Sequence, residues 1–198
     1  MEQNQRNKLT IIIITMAFLS PLVLSWWYLN YTNIVSEGKK SNHGDLISPP
    51  HTIDNLQLHD PVADKDYQLY GKWNLVYIAR SCDGKCVDNL YRMRQLHIAM
   101  DKYSLRVQRV LLLTDSVEQD LKTLFTEYAG QRIVSVDDIN VENLVNQFQL
   151  NKTDDPLSAN RLYIIDPLGN LMMSYSPDVN PRGIMDDLKK LLKASRIG

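Results

Sequence analysis

The chain is poor in cysteine: its 198 residues carry two, Cys82 and Cys86. That excludes a scaffold stapled by several disulfides. A bridge across so short a loop would also remove little entropy from the unfolded chain, so stabilisation is a weak reason for the pair. A charge imbalance is missing as well. With 22 basic against 23 acidic residues, there is no overall electrostatic footprint for nucleic acid or anionic lipid, and no nucleic-acid partner is expected. The histidines are four, His43, His51, His59 and His97, and with two cysteines they form no recognisable four-ligand set for structural zinc. Internal repeats and low-complexity tracts are absent too.

Charge is also missing from one long stretch. Between Lys8 and Glu37 no residue is charged, and the apolar part runs from Leu9 to about Leu29. About twenty apolar residues span a ~30 Å hydrocarbon core as a helix. Pro21 is tolerable there, and Trp26, Trp27, Tyr28 and Tyr31 gather at the far end, where amphipathic rings favour the interface. Arg6 and Lys8 precede the run, so the positive-inside rule puts residues 1–29 as a cytoplasmic tip and transmembrane anchor, with the rest outside. The run is long, ends in bulky aromatics and lacks a small-x-small cleavage site, which argues against a cleaved signal peptide. No cysteine follows it directly, which excludes a lipoprotein anchor. In a bacterium the location is the inner membrane, with the C-terminal part periplasmic. Too few residues precede the run for a basic mitochondrial transit peptide.

Residues 30–60 are polar and contain Gly38, Gly44, Pro49 and Pro50, which reads as a flexible tether. Residues 61–198 form the folded domain, long enough to bury a real core. Lys72 to Ala79 is a short apolar strand, and Val87 to Ala99 has helical spacing. Val107 to Leu113 is a second strand, closed by Thr114-Asp115. A helix from Glu118 to Tyr128 turns Leu121, Leu124 and Phe125 inward. Arg132 to Val136 is a short strand and Val141 to Phe148 a helix. Arg161 to Ile165 and Leu171 to Tyr175 form a hairpin around Asp166 to Asn170, with proline early and glycine late in the turn. Pro181 to Ser195 closes the chain as an amphipathic helix. The order β-α-β-α-β-α-β-β-α gives an α/β sheet with helices on both faces and a right-handed crossover between the first two strands. It fits a thioredoxin-like domain behind an N-terminal transmembrane helix.

The sharpest chemical feature is Arg80-Ser-Cys82-Asp-Gly-Lys-Cys86, between the first strand and the first helix. Free N–H groups at a helix N-terminus stabilise a thiolate, and Arg80 and Lys85 add positive charge, opposed in part by Asp83. Such surroundings lower a cysteine pKa from ~8.5 to about 3.5–7.5. A spacing of four places two helical side chains on one face, within reach of a disulfide or a shared soft metal. Asp, Gly and Lys between the cysteines argue for an exposed loop rather than two small buried apolar residues. His97 lies eleven residues beyond Cys86, about 16 Å along a helix at 1.5 Å per residue, too far to share an ion with it. Met93, Met100, Met172 and Met173 occupy apolar positions and are expected in the core.

Gly71-Lys-Trp-Asn-Leu-Val-Tyr-Ile followed by Ser81-Cys82-Asp-Gly-Lys-Cys86, Val107 to Asp115, and Leu162-Tyr-Ile-Ile-Asp-Pro-Leu-Gly-Asn170 together resemble the Sco (SenC) family of cytochrome c oxidase assembly factors. The resemblance covers roughly residues 67–195. It implies a membrane-anchored thioredoxin-like domain with Cys-x3-Cys at this strand-to-helix junction. The family's copper site uses both cysteines and a histidine shortly before the late strand. Here Ser158 stands at that position, no histidine follows His97, and a hydroxyl is a poor soft-metal ligand. Asp83 also stands where the family commonly has proline. Thioredoxins proper are less similar: their cysteines are two residues apart, and Pro156 lies too far before Leu162 to be their cis-proline.

The resemblance implies a Sco-related accessory factor for assembly of the oxidase copper centre. It would act by thiol–disulfide exchange, with Cys82 attacking and Cys86 resolving. The expected partners are the inner membrane and a heme–copper oxidase subunit or another copper or thiol assembly factor. Two other readings are a Cu(I) chaperone, in which Cys82 and Cys86 bind copper with a non-histidine third ligand, and a non-catalytic assembly scaffold.

Overall fold

A computed structural model describes residues 2–31, 41–54, 58–61, 64–115 and 126–198. It divides into two compact units, Met1–Ser41 and Asn42–Gly198. In the first, helix α1 runs over Glu2–Tyr31 and continues through Pro21. Its span Gln5–Tyr28 is 24 residues long and wholly exposed. At 1.5 Å per residue that is about 36 Å, enough by length and composition to cross a bilayer once. Thr10 and Thr15 donate their hydroxyls to the carbonyls of Arg6 and Ile11 at 2.9 and 2.8 Å, which satisfies polar groups internally where no water is at hand.

The second unit is built on strands β1 (Asp45–Thr52), β2 (Leu58–Asp60), β3 (Lys65–Tyr67) and β4 (Trp73–Ala79), then helix α2 (Gly84–Ala99). Strands β5 (Val107–Leu113) and β6 (Gln131–Val136), helix α3 (Val141–Phe148), the pair β7 (Leu162–Ile165) and β8 (Asn170–Tyr175), and helix α4 (Pro181–Ala194) follow. All eight strands join one sheet in the order β1-β8-β7-β4-β5-β6-β2-β3. Strands β4, β5 and β6 are mutually parallel, and β7 returns antiparallel beside β4. The expected helix Glu118 to Tyr128, with Leu121, Leu124 and Phe125, lies almost entirely outside the described residues.

The strand pattern explains the layers. All seven residues of β4 are buried, because successive side chains point to opposite faces and both faces are covered. Leu75, Tyr77 and Ala79 join one core with Leu90, Met93 and Leu96 of α2 and Ile184, Leu188 and Leu192 of α4. Val76 and Ile78 join the other, with Leu144 and Phe148 of α3. Helices therefore lie on both faces, as the element order implied.

The segment 30–60 departs from the expected tether. Strands β1 and β2 fall inside it, and β1 pairs antiparallel with β8. Pro49 and Pro50 suggested irregular chain, but β1 is an edge strand, where proline is tolerated because one side needs no ladder bonds. Its register shifts between Leu46 and His51, so pairing skips the prolines. Just before β1 the chain is fastened to α4. The backbone N–H groups of His43 and Gly44 donate to Oδ2 of buried Asp187 at 2.7 and 3.1 Å, and the Tyr175 hydroxyl donates to the same oxygen at 3.4 Å. Burial, with the Asp187 carboxylate adding to it, pushes the Tyr175 phenol well above its ordinary range. Gly44 is needed for close approach: a Cβ there would lie 2.4 Å from the Tyr175 ring.

Replacing Asp187 by Ala leaves two backbone donors and a phenol without their acceptor. The expected loss of stability is about 3 kcal/mol, read by chemical denaturation of the full chain in detergent. A loss below ~1 kcal/mol would show that this carboxylate does not hold the strap.

Candidate redox site

The site grows out of the end of β4. Beyond Ala79 the ladder to β5 continues through the Thr114 N–H to the Ala79 carbonyl at 3.2 Å and the Asp115 N–H to the Arg80 carbonyl at 3.0 Å. The Thr-Asp pair that closes β5 thus fixes the start of the cysteine loop. The chain then turns through Ser81 and Cys82 to Asp83, which is extended and caps α2: its Oδ1 accepts the Cys86 N–H at 3.0 Å. A carboxylate at this position satisfies one of the helix's free donors and complements its dipole.

Cys82 and Cys86 are joined as a disulfide with their Cα atoms 4.9 Å apart. The expectation of a pair in an exposed loop needs correction. Ser81, Asp83, Gly84 and Lys85 are exposed, but Cys82 is only 8% exposed and Cys86 0%. Helical phase is the cause: Cys86, Leu90 and Met93 lie at i, i+4 and i+7, the buried stripe of α2. Cys86 therefore occupies a core position, while Cys82 sits at the rim. Nor do the two share a helical face, since Cys82 precedes the cap and only Cys86 belongs to α2. The helix begins at Gly84 rather than Val87; Asp83 directly before a helical pattern was a signal for this, as Asp is a favoured cap.

Beside the bridge, Tyr77 of β4 is buried and donates its hydroxyl to Oδ1 of Asn160 at 2.9 Å. Burial raises the Tyr77 phenol above its ordinary range; the Asn89 amide opposes the shift and the Asp83 carboxylate adds to it. Asn160, in the left-handed region at φ 51°, donates its amide to the Ser158 carbonyl at 2.9 Å. Asparagine adopts that conformation more readily than most residues. Tyr77 and Asn160 are 83 positions apart, and no local pattern in the sequence could have joined them. A groove of about 360 Å³ lies here, lined by Lys85, Asp88, Asn89, Arg92, Asn160 and Pro177. Its far wall is fixed by Arg92, which donates to the carbonyls of Pro177 and Val179.

The remaining candidates lie elsewhere. Ser158 is exposed in a turn, its hydroxyl 3.4 Å from the Asp155 carbonyl. His97 is half-buried with Nε2 3.2 Å from the Val107 carbonyl, and burial holds its imidazole below the ordinary range, with the Arg109 charge adding to the effect. His43 contacts Asp187, His51 the Gln147 carbonyl and His59 Asp64. Met93, Met100 and Met173 are buried in the core and Met172 packs against it. Among the described residues no three His, Cys, Asp or Glu side chains converge to hold a metal. The cysteine pair supplies two sulfur donors once reduced, and the position of the family's histidine supplies none.

Residues 73–195 match the family described as transmembrane-like, thioredoxin-like, C-terminal domain. No curated protein matches the sequence. Among solved structures, yeast Sco1 with copper bound is 18% identical with a TM-score of 0.58, over 80% of this chain and 96% of that one. BsSco, described as a member of the Sco family of cytochrome c oxidase assembly proteins with a disulfide switch, is 14% identical with a TM-score of 0.57, over 76% of this chain and 100% of that one. A thiol:disulfide interchange protein from Bacteroides sp. is 14% identical with a TM-score of 0.54, over 76% and 93% respectively. The domain shares their thioredoxin-like, Sco-type fold.

Two measurements check the site. Asp83→Ala removes the cap and is expected to lower stability by ~1 kcal/mol, measured by denaturation of the oxidised chain; no change would mean the cap contributes nothing. In the reduced chain, alkylation followed by peptide mapping should label Cys82 at least about tenfold faster than Cys86, because reactivity follows exposure. Equal rates would contradict the burial difference.

Proposed function

Since the chain belongs over residues 73–195 to the transmembrane-like, thioredoxin-like C-terminal domain family, we propose that it exchanges disulfides with a protein dithiol, as a Sco-related accessory factor for cytochrome c oxidase assembly. The observation that carries this is the bridge itself: a disulfide between a rim cysteine and a core cysteine at a capped helix start. The oxidase assignment rests on the fold likeness to Sco proteins and on the motifs around Cys82, Leu162 and Asn170. The α1 helix would be a single-pass anchor with its N-terminus in the cytoplasm, holding the domain on the periplasmic side of a bacterial inner membrane.

The exchange starts from the oxidised state. A partner thiolate attacks Sγ of Cys82, the rim sulfur; the Cys82–Cys86 bond breaks, and Cys86 leaves as a thiolate and takes a proton. The partner's second thiolate then attacks its own sulfur in the mixed disulfide and releases Cys82, which is protonated in turn. Two electrons and two protons pass from the partner dithiol to the chain. The reverse sequence starts with Cys82 attacking a partner disulfide and ends with Cys86 resolving it. Free N–H groups of the first turn of α2 favour the thiolate forms at both stages, with Asp83 competing for one of them.

Copper as cargo is the second reading, favoured by the copper-bound state of yeast Sco1. The reduced sulfurs of Cys82 and Cys86 would hold Cu(I), and a third ligand would come from a partner. Soft thiolates suit that ion.

Trapping distinguishes the roles of the two sulfurs. In cells that express the full chain, Cys86→Ser is expected to accumulate a covalent adduct through Cys82 with an oxidase subunit or another thiol assembly protein. Cys82→Ser should yield no such adduct. Absence of adducts from both variants, with oxidase activity intact in the double serine variant, contradicts exchange and favours a scaffold. For copper, the reduced chain is titrated with Cu(I) against a chelator of moderate affinity. Loss of all metal removes the cargo reading.

A further inference from the structure

A second polar centre lies at the other end of β4 from the bridge. Lys72 directly precedes that strand, whereas the cysteine loop follows it, so the two centres are roughly 20 Å apart along the strand at ~3.3 Å per residue. A cavity of about 440 Å³ lies at this end, and Asp60, Lys72, His97, Gly130, Gln131 and Arg132 are among the residues that line it.

Two buried side chains of β5 and β6 have atoms without partners here. Gln131 is 3% exposed, and its Nε2 donates to the Arg132 carbonyl at 3.3 Å. That bond fixes which end of the amide is nitrogen, so the atom left over, Oε1, is an acceptor with no donor among the described residues. Arg109, opposite Gln131 in the β5–β6 ladder, is 4% exposed. Its Nη2 donates to the Ala129 carbonyl at 2.6 Å, while Nε and Nη1 have no hydrogen-bond partner among the described residues. The charge that bears on it is Arg94, of the same sign. A buried guanidinium in that state is strongly unfavourable until an anion compensates it. Gly130, which lines the cavity, lies against it: a Cβ there would come 3.0 Å from Nη2, so position 130 adds no side chain to screen the charge.

The lining reinforces this sign. Lys72 and Arg132 are exposed, and buried Asp60 lies 3.7 Å from Arg132. Three cations, Lys72, Arg132 and Arg109, thus stand against one carboxylate. A metal cation does not suit that balance, and an apolar ligand would leave Gln131 and Arg109 unsatisfied. An oxyanion does suit guanidinium and ammonium groups. The free Gln131 oxygen adds a second demand, a hydroxyl on the same anion. Sulfate and an ionised carboxylate have none; hydrogen phosphate has one.

We propose that this cavity binds inorganic hydrogen phosphate, with Lys72 and Arg132 holding its oxygens, Arg109 supplying charge from behind Gly130, and Gln131 accepting its hydroxyl. The site is separate from the redox centre, and its test involves no thiol chemistry.

Isothermal titration calorimetry of the full chain in uncharged maltoside micelles compares phosphate, sulfate and methyl phosphate at about pH 8, where a phosphate monoester has lost its second proton. The three anions then carry nearly equal charge, and phosphate alone keeps a hydroxyl. Sulfate and methyl phosphate are expected to bind about tenfold more weakly, the effect of one buried acceptor left unpaired. Gln131→Met should bring the three affinities within about twofold of one another, since it removes that acceptor. Lys72→Ala and Arg132→Ala alter exposed side chains, and each should weaken phosphate about threefold. Absence of saturable phosphate binding overturns the proposal, as do equal affinities for the three anions in the unaltered chain. Phosphate affinity unchanged in both Lys72→Ala and Arg132→Ala overturns the cavity as its location.

Discussion

The arrangement of this domain turns on where Cys86 falls in the helical repeat of α2. Because it shares the buried stripe with Leu90 and Met93, its sulfur is drawn into the core beneath the sheet end, and the bridge brings Cys82 to the rim above it. One sulfur is left with 8% exposure and the other with none. On the proposed exchange, that difference would put attack at the outer sulfur and leave the inner one to resolve. In the chain-entropy view a bridge over so short a loop adds about 2 kcal/mol, at the low end for disulfides. A chain this long, with cores on both faces of an eight-stranded sheet, does not depend on such a contribution to fold.

The sheet supplies the rigidity that the site needs. Strand β4 is enclosed on both faces and flanked by β5 and β7; β7 pairs with it as far as Tyr77, and β5 holds the point where it hands over to the cysteine loop. Tyr77, two residues before the end of β4, extends this order outward by binding the turn with Asn160. Asp83 completes it by closing the first turn of α2. A site made this way resembles a preorganised thiol–disulfide centre with a polar margin. Among the described residues no third His, Asp or Glu side chain joins the two cysteines to complete a metal site.

Much of this was legible in the sequence, and the misses have physical causes. Strands β4, β5, β7 and β8 and helix α4 follow from short apolar runs, from helical apolar spacing and from the Asp166 to Asn170 turn. The Cys-x3-Cys element was legible by its place between strand and helix. The start of α2 was read three residues late because Asp83, Gly84 and Lys85 look like loop when counted by composition, although Asp83 is the cap. Strand β1 was read as tether because its two prolines mask an edge strand, and because its fastening to Asp187 spans 143 positions from Gly44. The groove was illegible for the same reason: the Tyr77–Asn160 bond joins positions far apart in the chain, and only the folded sheet brings them together.

The central claim is that the bridge is a working redox couple rather than a structural staple. Equilibrating the full chain in micelles with graded thiol–disulfide buffers, and scoring the two cysteines by mass, measures it directly. The expected result is one reversible two-electron transition with a midpoint between about −300 and −120 mV, above the potentials of structural disulfides and within the range of exchanging protein dithiols. A bridge that stays closed in the native protein at the reducing end of that range, and opens only on unfolding, would contradict it.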